Sequence, residues 1–106
     1  MKQAKALLLL SGLFLTTSLS AAAPITVAQK GLQFSSAELS VGKGQVVVFQ
    51  NDDRTAHNIT VAGDGMNLNG GLQPPGAEFR VPFSKPGTYS VSCGIHPKMK
   101  LTVTVK

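Results

Sequence analysis

Cys93-Gly94-Ile95-His96-Pro97-Lys98-Met99 sets a thiol, an imidazole and a thioether within seven residues. Cys93 is the only cysteine of the chain, His96 is one of two histidines and Met99 is one of three methionines. Thiolate, imidazole and thioether make a soft, mixed sulfur and nitrogen donor set, and that set suits copper. The other histidine, His57, lies upstream in Asn51-Asp52-Asp53-Arg54-Thr55-Ala56-His57-Asn58. Two imidazoles, one thiolate and a weak axial thioether are the inventory of a blue-copper electron-transfer centre. His57, Cys93, His96 and Met99 supply it as candidate metal ligands.

Other chemistries for these residues fit less well. A lone cysteine is commonly a buried apolar filler, which leaves His57, His96 and Met99 unexplained. Structural zinc sites prefer four cysteine or histidine ligands, and this chain has three such residues in all. A Cys-His hydrolase needs a base oriented by a third group and an activated cysteine, which helix N-termini commonly provide. Nothing near Cys93 reads as a helix.

The elements that must carry the donors alternate with a period of two. Ile25-Thr26-Val27, Leu32-Gln33-Phe34, Glu38 to Val41, Gln45 to Gln50, His57 to Val61, Ala77 to Phe83, Thr88 to Cys93 and Leu101 to Val105 read as short strands. Gly42-Lys43-Gly44, Asp64-Gly65, Asn69-Gly70-Gly71, Pro74-Pro75-Gly76 and Pro86-Gly87 punctuate them. The expected fold is all-β, a Greek-key sandwich or barrel of seven to eight strands. Alternation puts Tyr89, Val91 and Cys93 on one face, and His57, Ile59 and Val61 on one face, so both donors enter from the apolar side. Gly94 to Lys100 is expected to turn, with Pro97 suited to the bend, and to bring His96 and Met99 back to the same end.

Met1-Lys2-Gln3-Ala4-Lys5 is a short basic segment, Ala6 to Leu15 is apolar, and Ser18 to Ala23 is mostly small residues. That order describes a secretory signal peptide, and the apolar run is too short to span a bilayer as a helix. Pro24 disfavours a cut after Ala23, so cleavage is expected after Ala22. The organisation is therefore residues 1–22 as leader and 23–106 as one domain, exported to a periplasm without a membrane anchor. Losing Lys2 and Lys5 takes the formal charge from +5 to +3. No cluster of Lys and Arg interleaves with aromatics, so nucleic acid is not an expected partner. A lone thiol in an oxidising compartment is exposed to oxidation unless something such as a metal occupies it.

From about Leu32 to Lys106 the sequence resembles the cupredoxins, the small blue copper proteins of the plastocyanin-like group. The two-residue gaps of Cys93-x-x-His96-x-x-Met99, the Asn51 to His57 interval, His57-Asn58 and the turn Pro86-Gly87 before the cysteine strand are most similar to the amicyanin-like branch. The resemblance implies a monomeric copper carrier that passes single electrons between transient redox protein partners and is not an enzyme. The alternative is a periplasmic protein that holds copper for delivery or sequestration, although the Met-rich or His-rich tracts of storage proteins are absent. The resemblance further implies that Asn51 ties the His57 loop to the cysteine loop and that the Asn58 N–H donates to the cysteine sulfur. Gly65, Met66, Leu68, Leu72 and Pro97 are candidates for an apolar rim around a partly exposed His96, with core or loop packing the competing role for Met66 and the leucines. Where the branch commonly carries proline, this chain has Ile95, whose N–H is expected to give the sulfur a second hydrogen bond. Lys85, Lys98 and Lys100 are expected to make the ligand end basic.

Overall fold

The computed structural model of the protein describes residues 22–106, so the expected leader lies outside it except for Ala22. The described residues form β1 (Ile25–Lys30), β2 (Gln33–Phe34), β3 (Glu38–Val41), β4 (Gln45–Asn51), β5 (Ile59–Gly63), β6 (Met66–Asn69), β7 (Glu78–Phe83), β8 (Gly87–Cys93) and β9 (His96–Val105). One sheet has the order β2, β1, β4, β7 and the other β3, β9, β8, β5, β6. The chain changes sheet between β2 and β3, β3 and β4, β4 and β5, β6 and β7, and β7 and β8. These crossings make β1 pair β4 and β3 pair β9 in parallel, while every other pairing is antiparallel.

Alternation along these strands builds the core between the sheets. Val27, Val47, Phe49, Val81 and Phe83 come from the first sheet, and Ile59, Val61, Tyr89, Val91, Leu101, Val103 and Val105 from the second. Burial of each such side chain contributes about 1.5–3 kcal/mol before chain entropy is set against it. Phe83 and Tyr89 pack edge to face across the sheets, with ring centroids 5.3 Å apart. The Tyr89 hydroxyl escapes the apolar layer by donating to the Lys85 carbonyl at 2.6 Å.

There are nine strands among the described residues, against the seven to eight expected. The added one is β6, whose Met-Asn-Leu-Asn lacks a run of β-branched residues. It becomes a strand through its turn: Asp64 (φ 25) and Gly65 (φ 85) have the positive φ pair that a two-residue hairpin loop requires. Gly63 then pairs Met66, and Val61 pairs Leu68. The cysteine hairpin also closes more tightly than the sequence suggests. Gly94 and Ile95 alone make the turn, and His96 already pairs Cys93 at the start of β9.

Candidate metal centre

Cys93 ends β8, the middle strand of its sheet, and is 1% exposed. Its Cα partners are Ile59 on one side and His96 on the other. His57 lies two residues before β5 and is fully buried. Its backbone is pinned by a reciprocal bridge: the His57 N–H donates to the Gln73 carbonyl at 3.0 Å and the Gln73 N–H to the His57 carbonyl at 2.7 Å. His96 opens β9 and is half-buried.

These three side chains converge, with one potential ligand atom from each lying within 4.8 Å of the others. Cys93 Sγ stands 3.7 Å from His57 Nδ1 and 3.6 Å from His96 Nδ1, and the two Nδ1 atoms are 3.1 Å apart. A point equidistant from the three lies roughly 2 Å from each, the bond length that imidazole nitrogen makes to a small divalent transition ion. The donor types and their spacing therefore fit a single copper ion.

Met99 reaches the same side through an irregularity in the hairpin. Ser92 pairs Lys100 and Cys93 pairs His96, so Pro97, Lys98 and Met99 have no partners on β8. In a regular strand, residues three apart face opposite ways. The bulge resets that parity, so Met99 is buried in phase with Leu101, Val103 and Val105 while His96 still points at Cys93. Pro97, expected in a turn, sits in this bulge instead, where its missing N–H costs no ladder bond.

The Asn58 N–H donates to Cys93 Sγ at 3.2 Å, as the resemblance implied. The expected second donor, the Ile95 N–H, makes no bond to the sulfur. Ile95 occupies the outer position of the tight turn and is half exposed. Gly94 packs between these groups, its N–H on the Asn58 carbonyl at 2.8 Å. A Cβ there would stand 2.5 Å from Asn58 Oδ1.

Asp53, a turn residue by its sequence context, is the group behind His57. Its Oδ2 lies 2.7 Å from His57 Nε2, and its oxygens also accept from the N–H groups of Gly31 (2.6 Å) and Leu32 (3.1 Å). Burial pushes the Asp53 carboxyl up, but the hydrogen bonds from His57, Leu32 and Gly31 and the attraction of His57 outweigh it and hold the group below the ordinary 3.8. An ionised carboxylate only accepts, so Nε2 carries the imidazole proton and the Nδ1 lone pair is left for the ion.

Asn51 departs from the role that the resemblance gave it. Its side chain donates to the carbonyls of Thr55 and Gln73, both at 3.0 Å, and accepts from the Asp53 N–H at 2.9 Å. It thus braces the His57 loop internally and against the Gln73 segment. Gln73 was not foreseen. Buried beneath the loop, it donates to the Phe49 and Ala77 carbonyls and accepts from Gln29 Nε2. A lone glutamine before Pro74-Pro75 carries no sequence signal of that role.

Leu32, Ile95, Pro97 and Lys98 surround a hollow beside His96. Of the expected rim, Pro97 is here, and Leu72 stands 70% exposed beside the Gln73 bridge. Leu68 and Met66 pack on the core. Register places Gly65 and Met66 at the opposite end of the sandwich, where Gly63 meets Thr88 and Tyr89. Lys85 belongs to that end too, with its Nζ close to Gly65, and so does not contribute to a basic ligand end.

The family model described as copper binding proteins, plastocyanin/azurin family, matches residues 21–106. Amicyanin-alpha of Methylorubrum extorquens is 30% identical over 78 residues, which cover 71% of this chain and 66% of that protein, just under two thirds of its length. The Cu(I) form of an amicyanin variant superposes with a TM-score of 0.74 at 28% identity, covering 82% of this chain and 86% of that one. A copper-containing nitrite reductase from Thermus scotoductus SA-01 matches at a TM-score of 0.75 and 26% identity, over 89% of this chain and 25% of the reductase.

Proposed function

The chain belongs to the plastocyanin/azurin family of copper-binding proteins, and we propose that within it this protein is an exported, monomeric one-electron carrier between periplasmic redox proteins. One copper is its cofactor, and when bound it supplies the Cu(I)/Cu(II) couple. In this reading the Cys93 thiolate and the Nδ1 atoms of His57 and His96 would hold the ion, with the Met99 thioether as a weaker fourth donor. The observation that carries the assignment is the convergence of Cys93 Sγ, His57 Nδ1 and His96 Nδ1.

The chain's own contribution is to hold these donors still. Cys93 is fixed between two ladder neighbours, His57 by the Gln73 bridge and Asp53, and the sulfur by the Asn58 N–H. Donors that do not move between oxidation states keep the reorganisation that accompanies each electron small. Half-buried His96, with Leu32, Ile95 and Pro97 around it, is the least buried of the four candidate ligands and so the exit that this reading gives the electron. Such a carrier makes and breaks no substrate bond and needs no general acid or base.

Export is supported by the leader pattern of residues 1–22 and by a family match that starts at residue 21, beside the expected cut after Ala22. No helix among the described residues is long and apolar enough to cross a membrane.

Absorption and paramagnetic resonance spectra of the copper-loaded protein test the reading. An intense visible thiolate-to-copper band is expected, and Cys93→Ser should abolish it while leaving the sandwich folded. A Cys93→Ser protein that stays blue would overturn the ligand assignment. Copper passed to an acceptor protein without electron turnover would move the reading to delivery or sequestration.

A further inference from the structure

β1 and β2 are joined by Gly31 and Leu32, both left-handed, with φ of 63 and 58. Glycine adopts that backbone freely, whereas a leucine there is an outlier. Leu32 is also 47% exposed, an apolar side chain in water on a strained residue. What the conformation achieves is visible in its N–H groups. Lys30 pairs Gln33 across the turn, so the Gly31 and Leu32 N–H groups are free of the ladder and converge on one carboxylate. Asp53 Oδ1 accepts from Gly31, and Oδ2 accepts from Leu32 and from His57 Nε2 together.

We propose that the Gly31-Leu32 turn is an outer clamp of the copper site, in which the Leu32 N–H is a positioning group for His57 acting through Asp53. The inference rests on His57 being a ligand. His57 has no freedom at its backbone, which Gln73 pins, so the ring's rotation and its tautomer remain to be set. Asp53 sets both, but a carboxylate at the end of its own rotor would swing if His57 were its one partner. Two backbone donors from a separate hairpin fix the plane of the carboxylate and thereby the direction in which Nδ1 points. The same residue lines the hollow beside His96 with its side chain, so one turn braces one histidine from behind and flanks the other at the surface.

The test compares Leu32→Gly, which keeps the donor and removes the strain, with Leu32→Pro, which has no N–H and cannot reach φ 58. Asp53→Ala removes the acceptor and leaves the turn sequence intact. Long-range proton–nitrogen NMR on the metal-free protein reads the His57 tautomer and the exchange of its Nε2–H, and competition with a chromophoric chelator reads Cu(I) affinity. Leu32→Gly should match the parent in both. Leu32→Pro and Asp53→Ala should speed Nε2–H exchange at least tenfold and weaken Cu(I) binding about 10- to 100-fold, the usual loss when an outer partner of a ligating histidine goes. Unchanged Tyr89 and Val91 amide shifts would show that the sandwich is intact. If Leu32→Pro keeps the parent's ring exchange and affinity, or if Asp53→Ala alone changes them, the clamp is wrong. A parent protein that binds no copper would instead sink the functional reading, while the ring measurement on the metal-free chain would still decide the clamp.

Discussion

Met99 and Gly94 are the two residues of the cysteine hairpin whose replacement separates tuning from support. An axial thioether tunes the potential of such a centre more than it retains the metal. Met99→Gln should therefore keep copper and lower the reduction potential, as measured by protein-film voltammetry. Complete loss of copper in that variant would make Met99 a primary ligand, as a Cu(I) delivery protein needs. Gly94→Ala acts on the support. Its new methyl would meet Asn58 Oδ1, and the Asn58 amide can retreat only by giving up its bonds to Asn69 Oδ1 and the Gly71 carbonyl. A loss of about 1–2 kcal/mol in urea unfolding is expected from the broken bonds, with a shift in the copper band because the Asn58 N–H bears on the sulfur. A variant of parental stability would show that Asn58 yields freely.

At the scale of elements, β8 and β9 are one ladder interrupted once. Because Ser92 pairs Lys100 and Cys93 pairs His96, deleting Pro97, Lys98 and Met99 joins two stretches whose registers already agree. The shortened chain should fold, losing about 2–5 kcal/mol with the buried Met99 side chain, and should offer copper the three remaining donors. Far-UV circular dichroism and copper titration check this, and an unfolded product would mean that the bulge is needed to close the hairpin. The same ladder shows how much was legible beforehand. Period-two alternation correctly faced Cys93 and His57 inward, and of the residues that the spacing singled out, Cys93 and His96 converge with His57 while Met99 is buried on the core side. The bulge was not legible, since parity alone sends Met99 outward and Pro97 looks like a turn residue. Leu32 and Gln73 were missed for a related reason: each acts through a contact 20 or more residues away or through a backbone group, and neither leaves a composition signal. Asp53 lies only four residues before His57, but in Asn51-Asp52-Asp53 it reads as a turn residue, and nothing in the sequence shows that its carboxylate meets the ring. The role that the resemblance gave Asn51 differs as well: its side chain bonds within its own loop and to the Gln73 carbonyl instead of to the cysteine loop.

Across the whole molecule, the sandwich keeps its chemistry at one end. Lys30, Arg54, Lys98 and Lys100 are exposed on loops and strand ends around Leu32 and Met99, opposed there by Asp52 and by Asp53, whose carboxylate is engaged with His57. Lys85, Gly65 and Asp64 lie at the far end. The face that presents His96 is thus apolar at its centre and positive at its border, which favours a redox partner with an acidic rim. Encounter between such surfaces is steered at low salt, by roughly 10- to 1,000-fold in favourable cases, and is screened as the Debye length shrinks to about 8 Å near physiological ionic strength. The second-order rate of electron exchange with an acidic redox protein should therefore fall steadily as salt rises, in stopped-flow measurements on the copper-loaded protein. Lys98→Glu should lower the rate at low salt and leave the high-salt limit nearly unchanged, because Lys98 borders the hollow without holding the metal. A rate indifferent to ionic strength would remove the charges from the account and leave apolar contact at Leu32, Ile95 and Pro97 as the way a partner finds His96.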